Sequence, residues 1–83
     1  MTRRDFSGRE IAKVLINEWG FEPAGGHGSH RVLYYEHPDN PADRRRVTVP
    51  MHDSISTGTL RDIADQAGAD SFQEFCREVN RCL

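Results

Sequence analysis

The sequence contains no long hydrophobic run, and this absence limits the classes of protein that it can encode. No stretch approaches the roughly 18 consecutive apolar residues of a transmembrane helix. Residues 1–5 are polar and no apolar run follows them, so no targeting segment is predicted. We therefore expect a cytoplasmic protein that does not enter a membrane.

Cysteine is also scarce, with two among 83 residues. Cys76 and Cys82 are separated by about 9 Å of axial rise if the segment is helical, which is too far for a disulfide. We expect both thiols to be reduced. The histidines and cysteines form no C-x-x-C or H-x-x-x-H pattern, so we predict neither a metal site nor a cofactor.

The chain lacks an excess of positive charge, since its net charge is −2. Residues 1–46 carry eight cations and seven anions, whereas residues 47–83 carry three cations and six anions. Non-specific nucleic-acid binding depends on displacing counterions from many phosphates, and such a chain is poorly suited to it. Any phosphate-binding surface must therefore be local.

Helical and strand patterns alternate along the chain in a way that predicts a single α+β domain. The first helix is predicted over residues 7–20, because Ser7 and Glu10 match a capping box and Gly20 matches a helix stop. Strands are predicted at about 21–24, 29–36 and 45–49, and the turn residues from His37 to Pro41 lie between the second strand and the third. A second helix is capped by Thr57 or Thr59 and ends at Gly68, and a third runs over about 71–82 with Ser71 and Glu74 as a second capping box.

This order predicts two layers, with three antiparallel strands covered by helices on one face and open to solvent on the other. The domain comprises residues 1–83, with a core at about 6–68 and a C-terminal helix at about 71–82. A chain of this length buries roughly 60% of its unfolded surface, so we expect a surface site. The predicted apolar stripes of the three helices are Ile11, Val14, Leu15 and Trp19; Leu60, Ile63, Ala64 and Ala67; and Phe72, Phe75, Cys76, Val79 and Leu83.

The stretch from Gly25 to Glu36 has the strongest functional signal. Three glycines (Gly25, Gly26 and Gly28) predict a flexible, amide-rich loop, and the run from Val32 to Tyr35 favours a strand. His30 would stand where the loop meets the strand. A mobile approach and a rigid base suit a reactive side chain.

Several short blocks of the chain resemble the HicA (YcfA-like) toxin family, in the right order and at similar spacings over residues 6 to about 75. These blocks are Ser7-Gly8-Arg9-Glu10, Gly20-Phe21, Gly28-Ser29-His30, Val47-Thr48-Val49-Pro50 with His52, Thr57-Gly58-Thr59-Leu60-Arg61, and Gln66-Ala67-Gly68.

The resemblance implies a double-stranded-RNA-binding-domain-like fold and a small ribonuclease toxin that cleaves mRNA. It also implies a HicB-type antitoxin partner, and His30 as the catalytic histidine. The chain departs from the family pattern at Arg31, where many members have a second histidine, and at the additional His27.

The residues around His30 suit RNA cleavage without metal, in which the 2′-OH attacks the adjacent phosphate. An imidazole can transfer protons near neutral pH, while loop amides and an arginine can stabilise the charged phosphorane. His30, Gly28, Ser29 and Arg31 supply these groups. A second acid or base is not fixed by the sequence, and the candidates are His27, His52 and Tyr34.

RNA contacts are also predicted along the strands. Arg44 and Arg46 should lie on the solvent face, opposite Val47 and Val49, and Tyr34 on the His30 face is a candidate for base stacking. A solvated strand edge is the commoner meaning of such an arginine run. Two further interpretations stay open, an RNA-binding module that does not cleave and a protein-interaction module that uses its acidic second half.

Overall fold

A computed structural model describes residues 5–83 and contains one helix, three strands and two helices in that order. The predicted α-β-β-β-α layout with an additional C-terminal helix is confirmed. The part of the targeting prediction that concerns residues 1–4 lies outside the described residues. The elements are α1 (Gly8–Glu18), β1 (Glu22–His27), β2 (His30–His37), β3 (Asn40–Pro50), α2 (Thr57–Ala67) and α3 (Phe72–Arg81).

Helix α1 begins at the capping box that the sequence predicts. The Ser7 hydroxyl accepts a hydrogen bond from the Glu10 N–H at 3.1 Å, and the Glu10 carboxylate accepts one from the Ser7 N–H at 3.0 Å. Trp19 is the C-cap and Gly20 follows with φ 78°. Both ends of the helix are therefore specified by local side chains.

The three strands form one antiparallel sheet in the order β1-β2-β3. Leu33 of β2 lies opposite Val47 of β3, and both are buried with Val49 in the core. Because side chains alternate between faces, the intervening residues Val32, Tyr34, Arg46 and Thr48 lie on the other face. That face is half-buried to exposed, as expected for an open sheet surface, and it is called the open face below.

Two strand boundaries differ from the prediction. Gly25 and Gly26 belong to β1, and the connection to β2 is only Gly28-Ser29, with φ 63° at Gly28. A positive φ at the first turn residue is the geometry that joins two strands through two residues. The predicted flexible loop is thus a tight hairpin.

Strand β3 begins at Asn40 and not at Arg45. Residues 40–44 lack apolar alternation, which was the basis of the prediction. They pair through the backbone all the same, since Arg44 lies opposite Glu36 and Asn40 opposite His37. The predicted turn at 37–41 therefore shrinks to Pro38 and Asp39.

The helices that follow the sheet complete the core. Ser56 caps α2, and not Thr57 or Thr59, because its hydroxyl accepts from the Thr59 N–H at 3.3 Å. Gly68 ends the helix with φ 84°. The Ser71 hydroxyl caps α3 by accepting from the Glu74 N–H at 3.0 Å.

The core contains the predicted apolar stripes with three exceptions, since Trp19 and Phe72 are half-buried and Leu83 is exposed. Its largest fully buried side chains are Phe6, Phe21 and Phe75. Cys76 lies in the core and Cys82 at its edge. Partial burial and the nearby Glu18 carboxylate raise the pKa of the Cys82 thiol. Within residues 5–83, no helix is both long enough and apolar enough to cross a lipid bilayer.

Candidate functional site

His30 is the first residue of β2 and follows directly on the Gly28-Ser29 turn. Its Cα partners are Pro50 of β3 and His27 of β1, and its side chain is exposed. Alternation along β2 places it on the open face with Val32 and Tyr34. The structure therefore presents His30 at one end of the open face, on a rigid strand.

A cleft of about 450 Å³ opens beside His30. It is bounded by the end of β3, by the β3–α2 connection and by one side of α2. Its lining residues are His30, Thr48, Pro50, His52, Ser54, Ile55, Ser56, Thr59, Asp62, Ile63 and Gln66. The lining combines two imidazoles with hydroxyl groups, an amide and one carboxylate, which suits a polar, hydroxyl-rich ligand.

The rings of His30 and His52 both line this cleft and lie edge-on to one another. Their centroids are 6.5 Å apart and their planes are inclined at 65°. At this centroid separation, even the nearest nitrogens of the two rings are further apart than the about 2.6–3.2 Å of a direct hydrogen bond. A small group between the rings would lie within reach of both.

Backbone hydrogen bonds hold the β3–α2 connection in place on both sides of His52. The Met51 N–H donates to the Ser29 carbonyl at 2.6 Å, which fastens the connection to the turn before His30. The His52 carbonyl accepts from the Gly8 N–H at 2.9 Å, at the start of α1. The two histidines are therefore positioned by one bonded framework.

The predicted RNA contacts on the open face lie further along the sheet. Tyr34 is opposite Arg46, and Arg44 is opposite Glu36. Arg44 and Arg46 are exposed, and Tyr34 is half-buried. Tyr34 is four residues from His30 along β2, which corresponds to about 13 Å. These side chains form a second region of the same face.

Arg45, the middle arginine of the run 44–46, faces the helices. Its guanidinium donates to the Ala67 carbonyl at 2.9 Å and lies 5.2 Å from the centre of the Tyr35 ring. It also forms an ion pair with Asp43 at 3.2 Å. Arg45 thus joins β3 to the end of α2, whereas its two neighbours face solvent as predicted.

Arg31 does not lie beside His30 as the sequence suggested. It is opposite Val49, on the helix-covered face, and lines a separate apolar depression with Ala12 and Ile16. Adjacent residues of a strand point to opposite faces, so Arg31 and His30 diverge. His27, by contrast, pairs directly with His30 and shares its face.

Most residues that line the cleft and the depression beside His52 were not predicted as functional, and Arg9, Asp62 and Gln66 are among them. Arg9 lines a small depression with His52 and Asp53, while Asp62 and Gln66 line the cleft from α2. The side-chain amide oxygen of Gln66 also accepts a hydrogen bond from the Thr48 N–H at 3.2 Å at the edge of β3. Tertiary packing brings these three residues to the site. The sequence offered one signal for them, because Arg9 and Gln66 lie in two of the short blocks quoted above, whereas Asp62 lies in none.

Among residues 5–83, no group of three or more histidine, cysteine, aspartate or glutamate side chains is placed to hold a metal ion.

Comparison with known proteins gives one match. A model of the family described as "HicA toxin of bacterial toxin-antitoxin" matches residues 8–69, which include α1, the whole sheet and α2. No curated protein and no solved structure matches the chain. The matched residues contain every side chain that lines the cleft.

Proposed function

The chain belongs to the HicA toxin family of bacterial toxin–antitoxin systems, and on this premise we propose that it is an endoribonuclease that cleaves mRNA with His30 as a catalytic residue. The observation that carries the proposal is the exposed imidazole of His30 at the mouth of a polar cleft, within the part of the chain that matches the family.

The chemistry that we propose uses the RNA's own 2′-hydroxyl as the nucleophile. It attacks the adjacent phosphorus and gives a 2′,3′-cyclic phosphate and a free 5′-hydroxyl. An imidazole is well suited to such proton transfers because it titrates near neutral pH. We propose that the reaction needs no metal ion.

The open face would bind the RNA strand that leads into the cleft. Tyr34 offers a ring on which a base can stack, and Arg46 and Arg44 offer charge-assisted contacts to phosphates. Tyr34 and Arg46 lie about 13 Å from His30 along the strand and Arg44, opposite Glu36, about 20 Å, so they would contact neighbouring nucleotides and not the scissile phosphate. The Gly28-Ser29 turn borders the scissile position.

Membership of a toxin–antitoxin family implies an antitoxin partner. We propose that this partner is a HicB-type protein and that it neutralises the toxin in the cytoplasm by covering the open face and the cleft. Such a partner would block RNA and His30 at the same time.

The test compares cleavage of a single-stranded oligoribonucleotide by the wild-type protein and by His30→Ala, with and without a chelator. We expect His30→Ala to lose cleavage by about 10²–10⁴-fold and the chelator to have no effect. His37→Ala is the matched control, because His37 lies at the far end of β2 in the β2–β3 hairpin. Equal activity of His30→Ala and wild type would refute the assignment of His30, and loss of activity on chelation would refute the metal-free mechanism.

A module that binds RNA without cutting it is the second candidate, and the open face with Tyr34 and Arg46 favours it. Expression in a bacterial host discriminates the two. Cleavage predicts growth arrest that His30→Ala abolishes, whereas inert binding predicts no arrest from either protein.

A further inference from the structure

We propose that His52 is the second proton-transfer residue of this site, so that His30 and His52 act as an acid–base pair on the two sides of one phosphate. This inference rests on the proposed ribonuclease function and deepens it. It assigns the group that the sequence left open.

The geometry of the two rings carries the argument. They line the same cleft, and their centroids are 6.5 Å apart. Neither ring can hydrogen-bond the other at this distance, yet both can reach the oxygens of one group placed between them, at about 2.6–3.2 Å. Two imidazoles that flank one phosphate are what simultaneous removal and delivery of a proton requires.

The second argument is that backbone hydrogen bonds position the connection that carries His52 relative to the hairpin that carries His30. The Met51 N–H bonds the Ser29 carbonyl, one residue before His30, and the His52 carbonyl bonds the Gly8 N–H. The connection therefore cannot shift relative to the hairpin without breaking backbone hydrogen bonds. A catalytic pair needs this kind of mutual positioning.

The proposed step balances as follows. One imidazole, neutral at the start, takes the proton of the 2′-hydroxyl while a lone pair of the 2′-oxygen forms the bond to phosphorus. The bond from phosphorus to the 5′-oxygen breaks with its electron pair on that oxygen, which takes a proton from the other imidazole, protonated at the start. The two rings end with exchanged protonation states, and solvent protons restore them, because both side chains are exposed.

Titratable and charged groups lie near His52 on several elements. His30 of β2 and Asp62 of α2 face it across the cleft, while Arg9 of α1 and Asp53 of its own connection lie in the depression on its other side.

His27 is the alternative candidate for this role. It is the cross-strand partner of His30 and lies on the same face. It is not among the residues that line the cleft, whereas His52 is, so His52 is the better placed of the two for a phosphate bound there. Both are tested below.

The experiment is the pH dependence of kcat/KM for a short fluorogenic oligoribonucleotide, measured with the full chain and the variants His52→Asn, His27→Asn and His30→Asn. We expect a bell-shaped profile for the wild type, with one limb for the base and one for the acid. His52→Asn should lower kcat/KM by about 10²–10⁴-fold and remove one limb, and the limb that is lost tells whether His52 is the acid or the base.

Two further readings separate catalysis from mere support of the fold. Free imidazole should restore part of the activity of His52→Ala, which loss of a structural contact would not allow. The double variant His30→Asn/His52→Asn should be little worse than either single variant, since residues that act as a unit are not additive. Thermal unfolding of each variant, with His37→Asn as the control, checks that the fold is kept.

Retention of both limbs in His52→Asn, or activity within about threefold of wild type, would overturn the proposal. Loss of one limb of the pH profile in His27→Asn and not in His52→Asn would overturn the proposal and assign the second proton transfer to His27. An inactive wild-type chain, or full activity of His30→Asn, would instead refute the proposed function, so the two failures are distinguishable.

Discussion

Gly8 shows how a single residue links the scaffold to the site. A Cβ at this position would lie 2.0 Å from the Pro50 carbonyl oxygen and 2.8 Å from the Met51 Cα. Both atoms belong to backbone, so neither can move aside as a flexible side chain would. Because Gly8 also donates its N–H to His52, only glycine lets α1 approach the segment that carries His52.

Replacing Gly8 by alanine should therefore damage stability and activity together. We expect Gly8→Ala to lower the free energy of unfolding by about 1–3 kcal/mol, as overpacking does, and to lower cleavage beyond what this loss explains, because His52 is displaced. Gly58→Ala is the matched control, since a Cβ there meets nothing within 4 Å and alanine favours a helix. Urea denaturation and the cleavage assay measure both effects. A Gly8→Ala protein as stable and active as Gly58→Ala would contradict this account.

The three consecutive arginines 44–46 do not share one role. Arg45 bonds the Ala67 carbonyl and lies against Tyr35, whereas Arg44 and Arg46 face solvent. A basic triplet in the sequence is therefore divided between two tasks. Alternation along the strand is the physical reason, because it sends neighbouring side chains to opposite faces.

At the scale of elements, α3 is an integral part of the core although it lies outside the matched residues 8–69. Phe75, Cys76 and Val79 are buried, and the Phe75 ring packs edge-on against Trp19 at 5.6 Å between centroids. The contact joins the C-terminal helix to the end of α1. We infer that α3 stabilises the layer of helices that supports the sheet.

Truncation of Phe75 tests this role. We expect Phe75→Ala to lower the free energy of unfolding by about 3–5 kcal/mol, because a large buried ring leaves a cavity. A small domain has only about 5–15 kcal/mol in total, so a large part of its stability would be lost. Trp19 is the only tryptophan, so its fluorescence reports both unfolding in urea and the loss of its neighbour.

Gln73→Ala, on the exposed side of the same helix, is the control, and we expect it to stay within about 0.5 kcal/mol of wild type. A similar small effect of Phe75→Ala would show that α3 is dispensable for the core.

At the scale of the whole molecule, the net charge of −2 and the local grouping of cations have a measurable consequence. Arg44 and Arg46 on the open face and Arg9 beside His52 are exposed cations on or beside the proposed RNA path. Two or three phosphate contacts give a slope of log K against log salt of about −1.4 to −2.1 for a single strand. RNA binding should therefore depend on salt only weakly.

The measurement uses the cleavage-deficient His30→Ala protein and a single-stranded oligoribonucleotide. Adding Arg46→Ala should reduce the magnitude of the slope by about 0.7, the contribution of one phosphate contact. Arg77→Ala on α3, an exposed arginine far along the chain from the sheet, should leave it unchanged. A slope that Arg46→Ala does not alter would exclude Arg46 from the RNA path.

Much of the fold could be predicted from the sequence, because the relevant signals are local. The capping box at Ser7 and Glu10, the stop at Gly68 and the apolar stripes specify helices by spacing alone. The bounds predicted for β1 and β3 were too short, since Gly26 and Asn40 belong to strands through backbone pairing that leaves no apolar alternation. His30 was chosen as the catalytic candidate because it lies within a short ordered motif.

What the sequence by itself determined is the order of elements, the apolar faces and the position of His30 at the start of a strand, since each depends on neighbours a few residues away. Only the tertiary structure decided that His52 shares a cleft with His30 and that Asp62 and Gln66 line it from α2. These relations depend on strand register and on backbone contacts such as Gly8 to His52 and Met51 to Ser29. Such contacts join residues distant in the chain, and they form only when the helices pack on the sheet.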